Sequence, residues 1–272
     1  QEFMSYKIVF TDLDDTLLND KREVSLIDKL AIIEAQKQGI IFVLASGRPT
    51  FAMYDLAKEL ELDKYGGYLL SFNGSIITEC KTGKNIFEAT LTSDDLHILY
   101  EYSKKFNTHI ITYHQDDIIS ETQSKYIDVE VELTRMNHKI VDSFKKEVNY
   151  SAVKCMLLEE PQYLKQVEKQ LKDIFNDKYT IAISKPFFLE VTKKGIDKGI
   201  ALQKLASILN INIEDTIAIG DSFNDLPMLK NAGMSIAVEN AKDEIKNMCK
   251  FITKSNNDSG MAHMINTLIL KK

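Results

Sequence analysis

Ile8-Val9-Phe10-Thr11-Asp12-Leu13-Asp14-Asp15-Thr16-Leu17-Leu18 is the stretch on which the reading of the whole chain turns. It opens with β-branched and aromatic apolar residues, which fit a buried strand. It then breaks into three carboxylates within four residues, Asp12, Asp14 and Asp15. Carboxylates crowded at a strand end repel one another unless a cation or protons intervene. Alone, the stretch reads either as a solvated acidic turn or as a metal-assisted site in which one Asp is a nucleophile. The rest of the chain decides between them.

Downstream, Ser25 is placed to cap a helix carrying Leu26, Leu30, Ile32 and Ile33 on one side, closed by Gly39. Ile40–Ala45 reads as a second buried strand, followed by Ser46-Gly47-Arg48-Pro49, with Pro49 in the first turn of a helix running to about Leu60. Leu69–Phe72 makes a third strand, and Asn73-Gly74 a tight turn into Ile76-Ile77-Thr78. Strands alternating with helices at this spacing imply parallel βαβ units. From about Gly83 to Lys185 the candidate strands become shorter and more polar, among helical stretches at 94–106, 124–133 and 161–174. The βα rhythm resumes at Phe187–Val191 and continues to the last residues. The pattern predicts an α/β fold: a Rossmann-like, mostly parallel sheet core from residues 1–82 and 186–272, with an α+β cap domain inserted at 83–185.

A chain of 272 residues with 44% hydrophobic and 27% charged residues buries a substantial core. Forty acidic against 34 basic residues, a net charge of −6, argue against a general nucleic-acid or anionic-membrane surface. No apolar run approaches the ~20 residues needed to span a bilayer, and no secretory h-region is seen. Gln1-Glu2-Phe3 ahead of Met4 reads as a cloning remnant. Cys80, Cys155 and Cys249 have no zinc spacing and read as reduced thiols, and a cytoplasmic location is expected. Of the five histidines none forms a ligand-like pair; His109 and His114 are the nearest to candidates.

Parallel strands deliver their C-terminal residues to one sheet edge, where open α/β folds bind ligands. Besides the acidic stretch, three more segments belong there. Ser46-Gly47-Arg48-Pro49 offers a hydroxyl and free N–H groups to an anion, although Ser46 also reads as a simple helix cap, and Arg48 either pairs a phosphate or braces a carboxylate. Gly195-Ile196-Asp197-Lys198-Gly199 sets a Lys against the helix dipole, an unfavourable placement that a carboxylate partner would explain. Ile219-Gly220-Asp221-Ser222-Phe223-Asn224-Asp225 adds two acids after a buried strand. Read together, Asp12, Asp14 and Asp221 supply hard oxygens for Mg²⁺, and Asp12 attacks phosphorus. Ser46, the Gly47 N–H, Lys198 and Asn224 hold phosphoryl oxygens. Asp14 does acid–base work, and Asp225 orients Lys198 or a metal-bound water.

In the order and spacing of these four motifs the chain resembles the haloacid dehalogenase superfamily of phosphatases, in its Cof-type branch with a large α/β cap (subclass IIB). Asn73-Gly74-Ser75 also looks like that family's Asn-Gly-Ala turn leading to the cap. The resemblance implies Mg²⁺-dependent hydrolysis of small phosphomonoesters, such as sugar phosphates or phosphorylated cofactor metabolites, through an aspartyl-phosphate on Asp12. It implies that Asp14 gives the metal its backbone carbonyl while its side chain transfers protons. It also implies that the Leu13 backbone helps hold phosphate and that Thr16, Arg48 and Asp225 support the site. The partner implied is a small phosphorylated substrate that the cap selects; Tyr113, His114, Lys154 and Lys185 are candidate contacts without a motif behind them. Two other readings share the motifs: a phosphotransferase such as a phosphomutase, and a non-enzymatic phospho-Asp receiver or sugar-phosphate sensor.

Overall fold

The computed structural model describes residues 5–272, so Gln1-Glu2-Phe3 lie outside the described residues. Its strands are β1 (Ile8–Thr11), β2 (Ile41–Ala45), β3 (Tyr68–Ser71), β4 (Ile76–Glu79), β5 (Asn85–Glu88), β6 (His109–His114) and β7 (Asp117–Ser120). They continue with β8 (Asn137–Ile140), β9 (Lys154–Leu158), β10 (Tyr179–Lys185), β11 (Phe188–Lys193), β12 (Thr216–Gly220), β13 (Met234–Ala237) and β14 (Phe251–Ile252). Two compact units result. One runs through Glu88 and resumes at Ile196–Lys272; the other is Ala89–Gly195.

The first unit holds an eight-stranded sheet in the order β14-β13-β12-β1-β2-β3-β4-β5. It is parallel from β14 to β3 and antiparallel at β3–β4 and β4–β5. Ile8, Val9 and Phe10 of β1 are fully buried, as a central parallel strand covered on both faces requires. The second unit holds a six-stranded sheet, β10-β11-β9-β6-β7-β8, antiparallel except for β7–β8. Leu96, Leu99, Leu164, Val167 and Leu171 from its helices bury Ile110, Cys155, Leu157, Leu189 and Val191 on one face of that sheet.

The units divide later in the chain than the change in sequence texture indicated, at both ends. Asn85–Glu88 pairs with β4 as the edge of the first sheet, so residues 83–88 stay with the core rather than opening the cap. Phe188–Lys193 lies between β9 and β10 in the second sheet, not in the first. Apolar alternation fixes that this segment is a strand but carries no information about which sheet takes it. The polar edge strand β8 also had no apolar signal to announce it.

The helix Leu26–Lys37 starts as Ser25 prescribes, with the Ser25 hydroxyl accepting from the Asp28 N–H at 3.1 Å. Its buried face keeps the expected Ile32 but not the expected Leu26 and Leu30. Ala31, Ile32 and Ala35 are buried, whereas Leu26 and Leu30 are 68% and 57% exposed. The buried Asp28 carboxylate accepts from the Ala262 N–H at 2.8 Å, and this bond turns the Asp28–Ile32–Ala35 line toward the helix Gly260–Met264. Among the described residues no helix is long and apolar enough to cross a membrane.

Candidate active site

Register brings the motifs to one edge. Thr11 of β1 aligns with Leu44 of β2 and Ile219 of β12, so Asp12, Ser46 and Asp221 all follow at the C-terminal ends of neighbouring parallel strands. The Asp12 N–H donates to the Ile219 carbonyl at 3.1 Å, carrying the ladder one step past the strand. The chain then turns sharply: Asp14 is extended, with ψ at 130°, and Asp15 is left-handed, with φ at 62°. Asp tolerates that region better than most L-residues, because its short polar side chain can bond locally.

Lys198 is the first residue of the helix Lys198–Ile208, behind the Asp197 cap. A cation there opposes the helix dipole, and this one is also fully buried. Two carboxylates offset both costs: Nζ donates to Asp12 Oδ1 at 2.9 Å and to Asp225 Oδ1 at 2.7 Å. Burial alone would lower the lysine pKa, but Asp12 and Asp225 outweigh it and hold the ammonium charged. Gly199 makes the placement possible, since a Cβ on it would lie 2.4 Å from the Pro227 carbonyl oxygen.

Asp225 has both oxygens engaged. Oδ1 takes Lys198, and Oδ2 accepts from the Asp221 and Ser222 N–H groups at 3.0 and 3.2 Å. Burial, with repulsion from Asp12, pushes its carboxyl up to about 6 despite Lys198. Asp12 is likewise pushed up to about 6, by burial first, with Lys198 opposing and the facing Asp221 carboxyl adding to the rise. Thr16 joins the two acids, donating its hydroxyl to Asp221 Oδ1 at 2.7 Å with Asp12 Oδ2 at 3.4 Å. Burial also raises Asp221.

Asp12, Asp221 and Asp225 each offer an oxygen, and these oxygens lie within 4.8 Å of one another. Because Asp225 is committed to Lys198 and to backbone donors, Asp12 and Asp221 are the pair left to ligate. Two facing carboxylates, hard donors and few in number, fit a small divalent cation of the Mg²⁺ class.

The second motif lies alongside. The Ser46 hydroxyl accepts from the Arg48 N–H at 3.0 Å, and the Arg48 guanidinium spans Asp14, with Nη2–Oδ1 at 2.6 Å and Nε–Oδ2 at 3.3 Å. Arg48 thus braces the Asp14 carboxylate in this structure, one of the two roles open for it. Asn224 donates to Asn73 Oδ1 at 3.4 Å, next to Gly47, whose added Cβ would meet Asn73 Nδ2 at 3.3 Å. Leu13 buries its side chain in the core and has only its backbone to offer the site. Tyr113, His114, Lys154 and Lys185 all fall in the second unit, where Lys154 pairs Glu190 at 2.8 Å and His114 stacks on Tyr150 at 3.8 Å. Two residues escaped the sequence reading. Asn240 donates to the Asp15 carbonyl at 2.8 Å, and Asn256 to the Leu18 carbonyl at 3.0 Å. Both follow β13 and β14, so extending the strand-end rule to those strands would have flagged them.

A family profile for haloacid dehalogenase-like hydrolases matches residues 9–265. The chain belongs to that family. This haloacid dehalogenase-like hydrolase is 36% identical over 268 residues to the Streptococcus pyogenes serotype M6 protein named "Putative phosphatase M6_Spy0533", covering 98% of this chain and 100% of the relative. It is 29% identical over 271 residues to 5-amino-6-(5-phospho-D-ribitylamino)uracil phosphatase YcsE of Bacillus subtilis, covering 99% and 98%. Among solved structures, a haloacid dehalogenase-like hydrolase from Bacteroides thetaiotaomicron superposes with a TM-score of 0.88 at 34% identity, covering 97% of this chain and 100% of that one.

Proposed function

We propose that the protein is a phosphatase that hydrolyses small phosphomonoesters by way of a phosphoryl group carried on Asp12. The observation that carries this reading is the buried Asp12 carboxylate, pinned by Lys198 at 2.9 Å and facing Asp221 at the edge of a parallel sheet. A buried acid next to a fixed ammonium is aimed, shielded from water and kept from drifting. The relatives' names support the same class, and the substrate named for YcsE is a small phosphomonoester.

In the first step an Asp12 oxygen attacks phosphorus in line with the leaving oxygen. The ester P–O bond breaks, its electron pair stays on the leaving oxygen, and Asp14 gives that oxygen a proton. Arg48 must release Asp14 for this, because a guanidinium has only donors and cannot accept from a carboxylic acid. In the second step water attacks phosphorus and loses its proton to the Asp14 carboxylate. The Asp12–phosphorus bond breaks, returning the free carboxylate and inorganic phosphate. Lys198, Ser46, the Gly47 and Leu13 N–H groups and Asn224 hold the non-bridging oxygens as charge spreads over them. Asp225 keeps Lys198 in place, and Thr16 keeps Asp12 and Asp221 in register. Asp12, Asp221 and the Asp14 carbonyl would hold Mg²⁺, which when bound neutralises charge between the carboxylates and the phosphoryl group.

Rapid quench of a single turnover with ³²P-labelled ester tests the proposal. Label should pass through the protein before reaching inorganic phosphate, and Asp12→Asn should abolish both signals. Turnover that survives in Asp12→Asn, or phosphate released with no labelled protein, overturns it.

A further inference from the structure

The loop that presents Asp14 is closed by its own backbone only at its ends, where the Leu17 and Leu18 N–H groups donate to the Asp12 and Leu13 carbonyls at 3.4 and 2.9 Å. Its backbone passes through an extended Asp14 and a left-handed Asp15, and the Asp14 carboxylate has its ion pair with a partly exposed Arg48. Such exposed pairs contribute little fixed geometry. Between those ends the loop is fastened further by two asparagines that follow β13 and β14. Asn240 Nδ2 donates to the Asp15 carbonyl at 2.8 Å, and Asn240 Oδ1 accepts from the Asn256 N–H at 2.9 Å. Asn256 is buried, and its Nδ2 donates to the Leu18 carbonyl at 3.0 Å and to Asp20 Oδ1 at 3.2 Å. With both ends of its amide engaged, Asn240 has one orientation; flipping it would set oxygen against oxygen and N–H against N–H. The bond to the Asp15 carbonyl fixes the plane of the Asp15–Thr16 peptide. That plane aims Asp14 on one side and on the other Thr16, which reaches Asp221 at 2.7 Å.

We propose that Asn240, anchored by Asn256, is a positioning residue for Asp14: it holds the loop in the one conformation from which the Asp14 carboxyl reaches the leaving-group oxygen. The inference rests on Asp14 being the proton donor. Asn240 touches no reacting atom itself. Without it the exposed Asp15 carbonyl turns to water, so the stability loss is small, of the order of a single hydrogen bond. Misplacing a proton donor by about 1 Å can cost on the order of 100-fold in rate. A large rate effect with a small stability effect therefore marks the role.

The test uses the full chain with Mg²⁺ and two esters. Glucose 6-phosphate leaves as an alkoxide that needs a proton, whereas p-nitrophenyl phosphate leaves as a stable phenolate that does not. Asn240→Ala, and the equally sized Asn240→Asp that lacks the donor, should lose about 30-fold or more in kcat/KM, which ends at departure of the leaving group and so excludes the second step, on the sugar ester and less than about threefold on the aryl ester, in line with a general-acid contribution. Asp14→Asn should show the same split, and melting should show that the Asn240 variants remain folded. Asn240 variants that lose both esters equally, or neither, while Asp14→Asn discriminates, overturn the positioning role alone. An Asp14→Asn variant without ester preference overturns the proton-donor reading, and this inference with it.

Discussion

Lys198 and Asp12 stand 186 residues apart in the chain and meet at 2.9 Å with the ammonium fully buried. Neither charge is stable there alone. A buried ammonium at a helix start and a buried carboxylate at a strand end become compatible only as partners, with Asp225 completing the set at 2.7 Å. The site is thus an electrostatic unit whose members cannot be removed singly without cost.

Lys198→Met keeps the length of the apolar stem and deletes the cation. It leaves Asp12 and Asp225 buried and unmatched, so unfolding free energy should fall by about 3–5 kcal/mol. Urea denaturation at neutral pH, with and without Mg²⁺, measures this. A variant as stable as the parent in both conditions would show that the pair contributes no cohesion.

Gly220→Ala strikes the same unit through sterics. The new Cβ would sit 2.6 Å from both Asp225 Cβ and Oδ2, so Asp225 must move and slacken its grip on Lys198. A loss of about 1–3 kcal/mol is expected from such overpacking, together with a fall in kcat. Unchanged kcat in a destabilised variant would uncouple Asp225 from the chemistry.

Stability should also depend on pH through Asp28, away from the site. Burial raises its carboxyl above the ordinary value, despite the Ala262 N–H and Ser25 bonds that pull it down. The fold therefore favours the neutral acid. Its contribution is complete below the unfolded value of about 3.9 and is lost as pH rises through the higher folded value. Asp28→Asn keeps an acceptor for Ala262 and removes the ionisation. Denaturation midpoints should rise at pH 7 and stay level near pH 4; a uniform rise or fall at both would count against this account.

Cation binding can be read without catalysis. Mg²⁺ should raise the melting temperature of the parent, by an increment equivalent to about 2.7 kcal/mol at a hundredfold excess over Kd, and EDTA should reverse it. Asp221→Asn should abolish the increment. If Asp221→Asn responds like the parent, Asp221 is not a ligand.

Much of this was legible in the residues because the chemistry sits where strands end. Asp12, Ser46 and Asp221 each follow a buried apolar run, and a parallel sheet gathers such positions without further instruction. The helix placement of Lys198 was readable as an anomaly needing a partner. Other features depended on long-range packing. Leu26 and Leu30 looked like core by spacing, yet the Asp28–Ala262 bond rotated them outward. Phe188–Lys193 looked like a returning core strand, yet β9 and β10 claim it. Arg48 had two possible partners, and its reach to Asp14 could be seen only in the structure. Asn240 and Asn256 carry no charge, so only their places after β13 and β14 pointed to them, and their importance lies in which carbonyls they reach.

The central position of β1 has a consequence for biosynthesis. The strand that ends at Asp12 is translated early, while β12, which flanks it, and Lys198, Asp221 and Asp225 are translated only after the whole of Ala89–Gly195. A nascent chain therefore carries Asp12 without its cation, and a nonsense codon ahead of Lys198 would leave that carboxylate with no ammonium to make its burial tolerable.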